Sequence, residues 1–253
     1  MRYKGGVRIH FPKAEHMTDS TLARIRDQLH LSKMDFLTAL GKLILPEGTW
    51  TGSCLDTSHA HDSVTCTKTL YLTFDDGPHP DTTPYLIELL EKEHARATFF
   101  LIGRNANKYP KLVEMIAKAG HTLGNHTYSH LFMPHLTDDL ARIEIESATR
   151  AIEDAAGRTP QLFRPPYGVI NRRHADLVDQ GAMRMIYWGA VPNDSRVIGA
   201  RRVIARVKQR LEKGALLVLH EGRCIAEQSL QSTAGVLKAG KERGFCFRAL
   251  KAP

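Results

Sequence analysis

The amino-acid sequence predicts an α/β fold of parallel strands joined by helical crossovers. Three observations carry this prediction. From residue 68 onward, short β-rich apolar runs alternate with stretches of helical period. Most of the helical stretches end in a glycine, the residue suited to a left-handed C-cap. Polar or aromatic residues recur where successive apolar runs end. Alternation of this regularity implies right-handed crossovers, and about seven repeats suit a barrel, regular or imperfect, or a doubly wound sheet. In either architecture functional groups collect where strands end and loops begin.

Residues 1–67 differ from the rest. Leu22, Ile25, Leu29, Phe36, Leu37 and Leu40 suggest two short amphipathic helices, broken near His30-Leu31-Ser32. The spacing is faintly that of a helix-turn-helix. A basic recognition face is missing, however, and a helical hairpin packed on the main domain is the better reading. Residues 46–67 are rich in Gly, Ser, Thr, His and Asp and read as a surface loop. His59 and His61 in that loop could bind a metal, although paired histidines in polar loops more often bind nothing. Residues 1–67 are therefore read as a small N-terminal extension and 68–253 as the main domain.

Within the main domain, strands are expected over residues 70–74, 97–102, 121–125, 162–165, 183–188, 215–220 and 245–250. Helices are expected over 84–94, 106–119, 138–156, 172–180, 200–213 and 225–243, with Gly120, Gly157, Gly181, Gly214 and Gly244 at their ends. Asp75 and Asp76 end the first strand, His126 the third, Arg164 the fourth, Trp188 the fifth and His220 the sixth.

Composition limits the function classes. The chain has 253 residues, 42% hydrophobic and 25% charged, which is ordinary globular composition. Its formal net charge is +8. The basic residues are spread along the chain, and the densest group, Arg201, Arg202, Arg206, Lys208 and Arg210, has the spacing of a solvated helix face. No nucleic-acid partner is expected. There is no apolar run of about 18 residues, so no transmembrane helix is expected. The basic N-terminus is not followed by a long apolar core, which predicts a cytoplasmic protein unless a leader precedes this sequence or the substrate is cell wall. Of the four cysteines, Cys54 and Cys66 flank the polar loop and could bridge. Cys224 and Cys246 fall at opposite ends of parallel strands, on the order of 15 Å apart, and should not.

The chemistry-bearing stretches begin with Leu70-Tyr71-Leu72-Thr73-Phe74-Asp75-Asp76-Gly77-Pro78. Burying an unpaired charge costs several kcal/mol or more, so two adjacent aspartates after an apolar run belong at a strand end, facing water, a cation or each other. An Asp-Gly turn that merely caps the next helix is the plain alternative. His126-Thr127-Tyr128-Ser129-His130 places histidines at i and i+4, and on one helical turn both imidazoles would reach one ion. With a carboxylate they would form an open metal site with room for water. In Phe163-Arg164-Pro165-Pro166-Tyr167-Gly168 the prolines and glycine fix a turn from which the Tyr167 N–H can point into a cleft. Leu216 to Leu219 run into His220, and the polar loop after the fifth strand carries Asp194. A carboxylate near His220 would hold its tautomer and raise its pKa.

Taken together and in order, the motifs Thr73-Phe74-Asp75-Asp76-Gly77-Pro78, His126-Thr127-Tyr128-Ser129-His130, Arg164-Pro165-Pro166-Tyr167-Gly168 and Leu217-Val218-Leu219-His220 resemble those of the polysaccharide deacetylases. These are the NodB-homology domains of carbohydrate esterase family four. The resemblance runs from about Lys68 to the C-terminus and does not reach the first 67 residues. It implies a distorted (β/α)7-type barrel and a divalent metal, most often Zn2+, with Co2+, Mn2+ or Ni2+ as alternatives. Carried over by position, it implies Asp76, His126 and His130 as metal ligands and Asp75 as general base. Arg164 would orient that base, the Tyr167 backbone would hold the oxyanion, and His220 would be the general acid with Asp194 as its partner. In the fourth motif the chain departs from the pattern: Val191 and Ser195 stand where family members commonly carry an aspartate and a tryptophan.

The expected activity is hydrolysis of N-acetyl groups on N-acetylglucosamine units of chitin oligomers, peptidoglycan or exopolysaccharide. An amide is a poor electrophile with a poor leaving group, and its hydrolysis needs an activated water, an oxyanion stabiliser and a proton for the amine. The same residues would serve an O-acetyl esterase acting on xylan-like sugars or an amide hydrolase acting on a non-sugar. A non-catalytic carbohydrate-binding domain and a DNA-binding regulator using the N-terminal helices are the readings outside enzymes.

Overall fold

The structure is a computed structural model that describes residues 66–188 and 192–251. The expected N-terminal helices, His59, His61, Cys54 and Val191 lie outside these residues. The described chain alternates strand and helix as the periodicity requires. It comprises β1 (Thr69–Gly77), α1 (Thr83–Lys92), β2 (Thr98–Leu101), α2 (Gly103–Lys108), α3 (Pro110–Lys118), β3 (Thr122–Asn125) and α4 (Asp138–Ala156). Then follow β4 (Leu162–Phe163), α5 (Arg172–Gln180), β5 (Arg184–Met185), α6 (Ala200–Lys208), β6 (Leu216–His220), α7 (Ala226–Glu242) and β7 (Cys246–Arg248).

All ladders are parallel, in the order β5-β4-β3-β2-β1-β6, and β7 pairs with the opening residues of β1. The period-two alternation sorts each strand's side chains into two layers. Leu70, Leu72 and Phe74 of β1, Phe99 and Leu101 of β2, and Leu217 and Leu219 of β6 enter one apolar cluster with residues of α1, α3, α4, α6 and α7. The opposite faces contribute Tyr71, Phe100, Leu162, Leu216 and, beyond the strands, Ile186 and Leu250 to a second cluster. Side chains from β1, β2, β4 and β6 can meet there only if the sheet curls around them. The architecture is therefore the expected (β/α)7-type barrel. It is distorted: among the described residues no ladder joins β5 to β6.

Some local expectations change. The single helix expected over 106–119 is two, α2 and α3, because Pro110 lacks an N–H and instead begins α3. Gly120, Gly157, Gly214 and Gly244 are left-handed as expected, whereas after α5 Ala182 takes the positive φ and Gly181 does not. Helix α6 stops at Lys208, short of Lys213. Cys66 does not pair with Cys54. It is disulfide-bonded to Cys246, with Cα atoms 6.4 Å apart, because β7 lies beside the start of β1 with Cys246 opposite Thr69. Cys224 is free and exposed, as the parallel topology required.

Candidate metal centre and acid–base site

The site forms at the C-terminal ends of the strands. In a regular strand Asp75 and Asp76 would point to opposite faces. Here the β1–β2 register shifts between Asp75 and Gly77, and Asp76 has φ 73. This bulge re-aims one carboxylate relative to its neighbour. The Gly77-Pro78 turn, expected from sequence to set this geometry, follows the bulge. Asn105 of α2 steadies it by donating from Nδ2 to the Asp76 carbonyl at 2.9 Å.

Asp76 Oδ1 lies 3.3 Å from His130 Nε2 and 3.6 Å from His126 Nε2, and one ligand atom from each residue lies within 4.8 Å of the others. Oδ1 is buried and makes no hydrogen bond. Two ligand atoms each about 2.0–2.1 Å from a tetrahedral ion stand roughly 3.3 Å apart, so the spacing fits shared coordination better than hydrogen bonding. His126 Nδ1 lies 2.6 Å from the Arg164 carbonyl, a contact that turns Nε2 toward Asp76. Burial, then the neighbouring His126, hold the His130 imidazole below its ordinary pKa, and the aspartates only partly offset this. A neutral imidazole is the ligating form. The donor set thus fits a divalent cation.

The two histidines do not share a helical turn. They lie in a loop in which Thr127 and His130 themselves have φ of 63 and 59. Such backbone needs external support. Asn125 Oδ1 accepts from the Thr127 N–H at 2.8 Å, Thr127 Oγ1 accepts from the His130 N–H at 3.1 Å, and buried Glu144 of α4 accepts from the Ser129 N–H at 2.7 Å.

Asp75 is buried and paired with fully buried Arg164, whose Nη1 donates to Asp75 Oδ1 and to Thr73 Oγ1, each at 2.7 Å. Arg164 Nη2 donates to the Tyr187 carbonyl at 2.9 Å, and the guanidinium lies 4.1 Å over the Phe100 ring. Burial alone would raise the Asp75 pKa. The charge of Arg164, the neighbouring His126 and His220 and the Arg164 hydrogen bond together outweigh it, and the carboxyl sits below its ordinary value. Asp75 is thus ionised and outside the three-residue cluster.

His220 lies beside Asp75 in the β1–β6 register. Asp194 grips it twice: Oδ2 accepts from the His220 backbone N–H at 2.8 Å, and Oδ1 lies 2.9 Å from Nδ1. Burial would lower the imidazole pKa, but Asp194, backed by Asp75 and Asp76, pushes it up to about 9. Gln228 of α7 fixes the Asp194 loop, donating to the carbonyls of Asp194 and Arg196 and accepting from the amides of Ile198 and Gly199. On the other side Tyr167 has φ 56 and is 62% exposed, and no described residue accepts its N–H. Gly168 follows at φ 67, packed so closely on Trp188 that a Cβ would fall 1.1 Å from Cη2.

Asp75, Asp76, His126, His130, Arg164, Tyr167, Asp194 and His220 thus lie at one end of the barrel. Asn105, Asn125, Glu144, Gln228 and Glu221 were not foreseen. Glu221 is buried behind His220, accepting from the Thr82 hydroxyl at 2.9 Å and from the Thr83 hydroxyl. Burial, only partly offset by those hydroxyls, pushes its carboxyl up to about 7.

A parallel α/β barrel with an Asp-His-His cluster and a separate acid–base pair at its mouth has the organisation of a metal-assisted hydrolase. Comparison with known proteins narrows that class. A sequence profile described as polysaccharide deacetylase matches residues 62–186. A chitooligosaccharide deacetylase of Azorhizobium caulinodans is 31% identical over 195 residues, covering 72% of this chain and 93% of the relative. A peptidoglycan-N-acetylglucosamine deacetylase of Bacillus cereus is 32% identical over 182 residues, covering 71% and 85%. The family 4 carbohydrate esterase from Streptomyces lividans, solved with acetate, matches with a TM-score of 0.68 at 30% identity over 72% of this chain and 93% of that one. A family 4 pseudoenzyme from Bacillus anthracis also matches, with a TM-score of 0.68 at 26% identity over 72% and 64%. The chain belongs to the polysaccharide deacetylases, the family 4 carbohydrate esterases, and is a hydrolase of that family.

Proposed function

We propose that this chain removes N-acetyl groups from N-acetylglucosamine units of an oligo- or polysaccharide, using a divalent metal held by Asp76, His126 and His130. The observation that carries this reading is the division of labour between adjacent carboxylates. Asp76 faces two imidazoles, whereas Asp75 is held ionised by Arg164. A fold likeness that extends to a pseudoenzyme cannot by itself supply activity; the complete acid–base set argues for it. Two imidazoles and a carboxylate suit Zn2+ best, with Co2+, Mn2+ and Ni2+ as alternatives.

When bound there, a divalent ion supplies Lewis acidity, polarising the acetyl carbonyl and bringing the pKa of water from 15.7 toward about 7. The chain's residues do the rest. Asp75 accepts the proton of the attacking water, and Arg164 keeps its carboxylate oriented and charged. The Tyr167 N–H donates to the oxygen that gains negative charge. His220, protonated through Asp194, delivers a proton to the departing nitrogen, and acetate and a free amine result. The Cys66–Cys246 disulfide supports the extracytoplasmic of the two expected locations. We take residues 68–253 as the catalytic unit.

The test combines metal content and acetate release. Asp75→Asn should retain stoichiometric metal by elemental analysis and lose turnover; retained turnover would remove Asp75 as base. Acetate release should be assayed on chitin oligomers, peptidoglycan and acetylxylan. Release from acetylxylan alone would favour the O-acetyl esterase, and release from none of them would defeat the sugar reading.

A further inference from the structure

We propose that Phe132 and Tyr167 form a stacking shelf for the sugar next to the one being deacetylated, so that the chain selects oligomers over shorter substrates. This rests on the proposed activity. The observation is a ladder of rings that starts at a candidate metal ligand and runs outward. His130 and Tyr167 have centroids 4.8 Å apart, Tyr167 and Phe132 5.9 Å, and Phe132 and His135 4.8 Å. The inner end belongs to the metal cluster. The outer rings face solvent: Tyr167 is 62% exposed and Phe132 37%.

Contiguous exposed apolar surface beside a site is a candidate binding surface. Continuity with the site decides what binds here. A glycan lying along this ladder with its acetyl group at the His130 end carries its neighbouring ring past Tyr167 and Phe132. The axial C–H faces of a pyranose suit an aromatic surface, and an aromatic ring supplies contact area at small entropic cost. The position is also built to stay put. Met133 begins the short turn Met133–His135 and is fully buried, anchoring the loop directly after Phe132. Tyr167 is held by the Gly168–Trp188 packing beneath it. The position after Asp194, where family members commonly carry a tryptophan, holds Ser195, which leaves the exposed rings on the His130 side as the stacking surface.

The experiment uses the full chain loaded with Zn2+ and two probes, N-acetylglucosamine and tetra-N-acetylchitotetraose. Phe132→Ala should raise KM for the tetraose about three- to tenfold, the range expected for one lost aromatic contact, with kcat nearly unchanged. KM for the monosaccharide should move less than about twofold. Phe132→Trp should keep the tetraose KM, whereas Phe132→Leu, which keeps bulk without a ring, should raise it nearly as much as alanine does. Unfolding curves of the three variants should coincide. Equal losses on both probes, or none on either, would overturn the shelf while leaving the deacetylase reading intact. A wild-type chain that neither binds nor deacetylates either probe would overturn both.

Discussion

Gly77 illustrates how one residue carries the constraints of several. Its backbone conformation does not require glycine. A Cβ there would fall 2.1 Å from Glu221 Oε1 and 2.8 Å from its carboxyl carbon, so glycine is needed to admit a buried carboxyl from the next strand. Gly77→Ala should destabilise the chain by about 1–3 kcal/mol, as overpacking does. In a double-mutant cycle read from denaturant unfolding, Glu221→Ala in the same chain should return part of that loss; additive effects would refute the contact. His220 makes a pH-dependent prediction. Its folded pKa of about 9 lies above the ordinary value of 6.5, so its stabilisation is full below about pH 6.5 and is lost as pH rises through 9. In the proposed mechanism the same proton serves the leaving group. Asp194→Asn should therefore move the alkaline limb of the kcat profile toward neutral pH and flatten the loss of stability between pH 7 and about 9. An unmoved limb would detach Asp194 from the acid.

At the scale of elements, the metal site depends on a loop that cannot hold itself. Residues 126–130 contain two left-handed non-glycine positions, which cost of order 1–3 kcal/mol each unless the surroundings fix them. Glu144 lies on α4, and its bond to the Ser129 N–H is one such restraint. Glu144→Leu should weaken Zn2+ binding by about tenfold in a competition titration while the far-ultraviolet spectrum stays native. Wild-type affinity would make that bond irrelevant to the site. This element also marks where sequence reasoning stops. His126 and His130 were legible because two imidazoles near a carboxylate pair have few other uses. The loop that presents them was misread as a helical turn, because the spacing i, i+4 carries no φ values. Glu144, Asn125 and Gln228 were invisible for a different reason. Each looks like an ordinary polar residue, and only the fold brings it to the backbone it supports. By contrast the strands and most helix ends were legible, since apolar alternation and terminal glycines such as Gly120 and Gly157 report local structure directly.

The whole molecule separates its chemistry from its closure. The site occupies the C-terminal ends of the strands, and the Cys66–Cys246 bond joins the start of β1 to the start of β7 at the other end. The bond spans 180 residues of sequence. Cys246→Ser, or reduction, should lower stability by about 2–4 kcal/mol in denaturant unfolding, with turnover on the same substrate preserved below the transition. Peptide mapping without reductant should recover Cys66 joined to Cys246; Cys66 joined to Cys54 would refute the pairing. The disulfide was not legible in the sequence because the strand order that makes its partners neighbours is a property of the folded sheet.

Arg164 reaches across the barrel's interior to β1, to the carbonyl of Tyr187 and to the face of Phe100. In a wheel whose rim is cut between β5 and β6, it is a spoke. The group that holds the Asp75 carboxylate ionised thus also braces the frame on its weakest side. Selection acting on either property must act on both, so a change that softened the base would loosen the barrel with it. Substitutions in the rim of rings and loops outside Arg164 should therefore alter substrate choice without disturbing the hub.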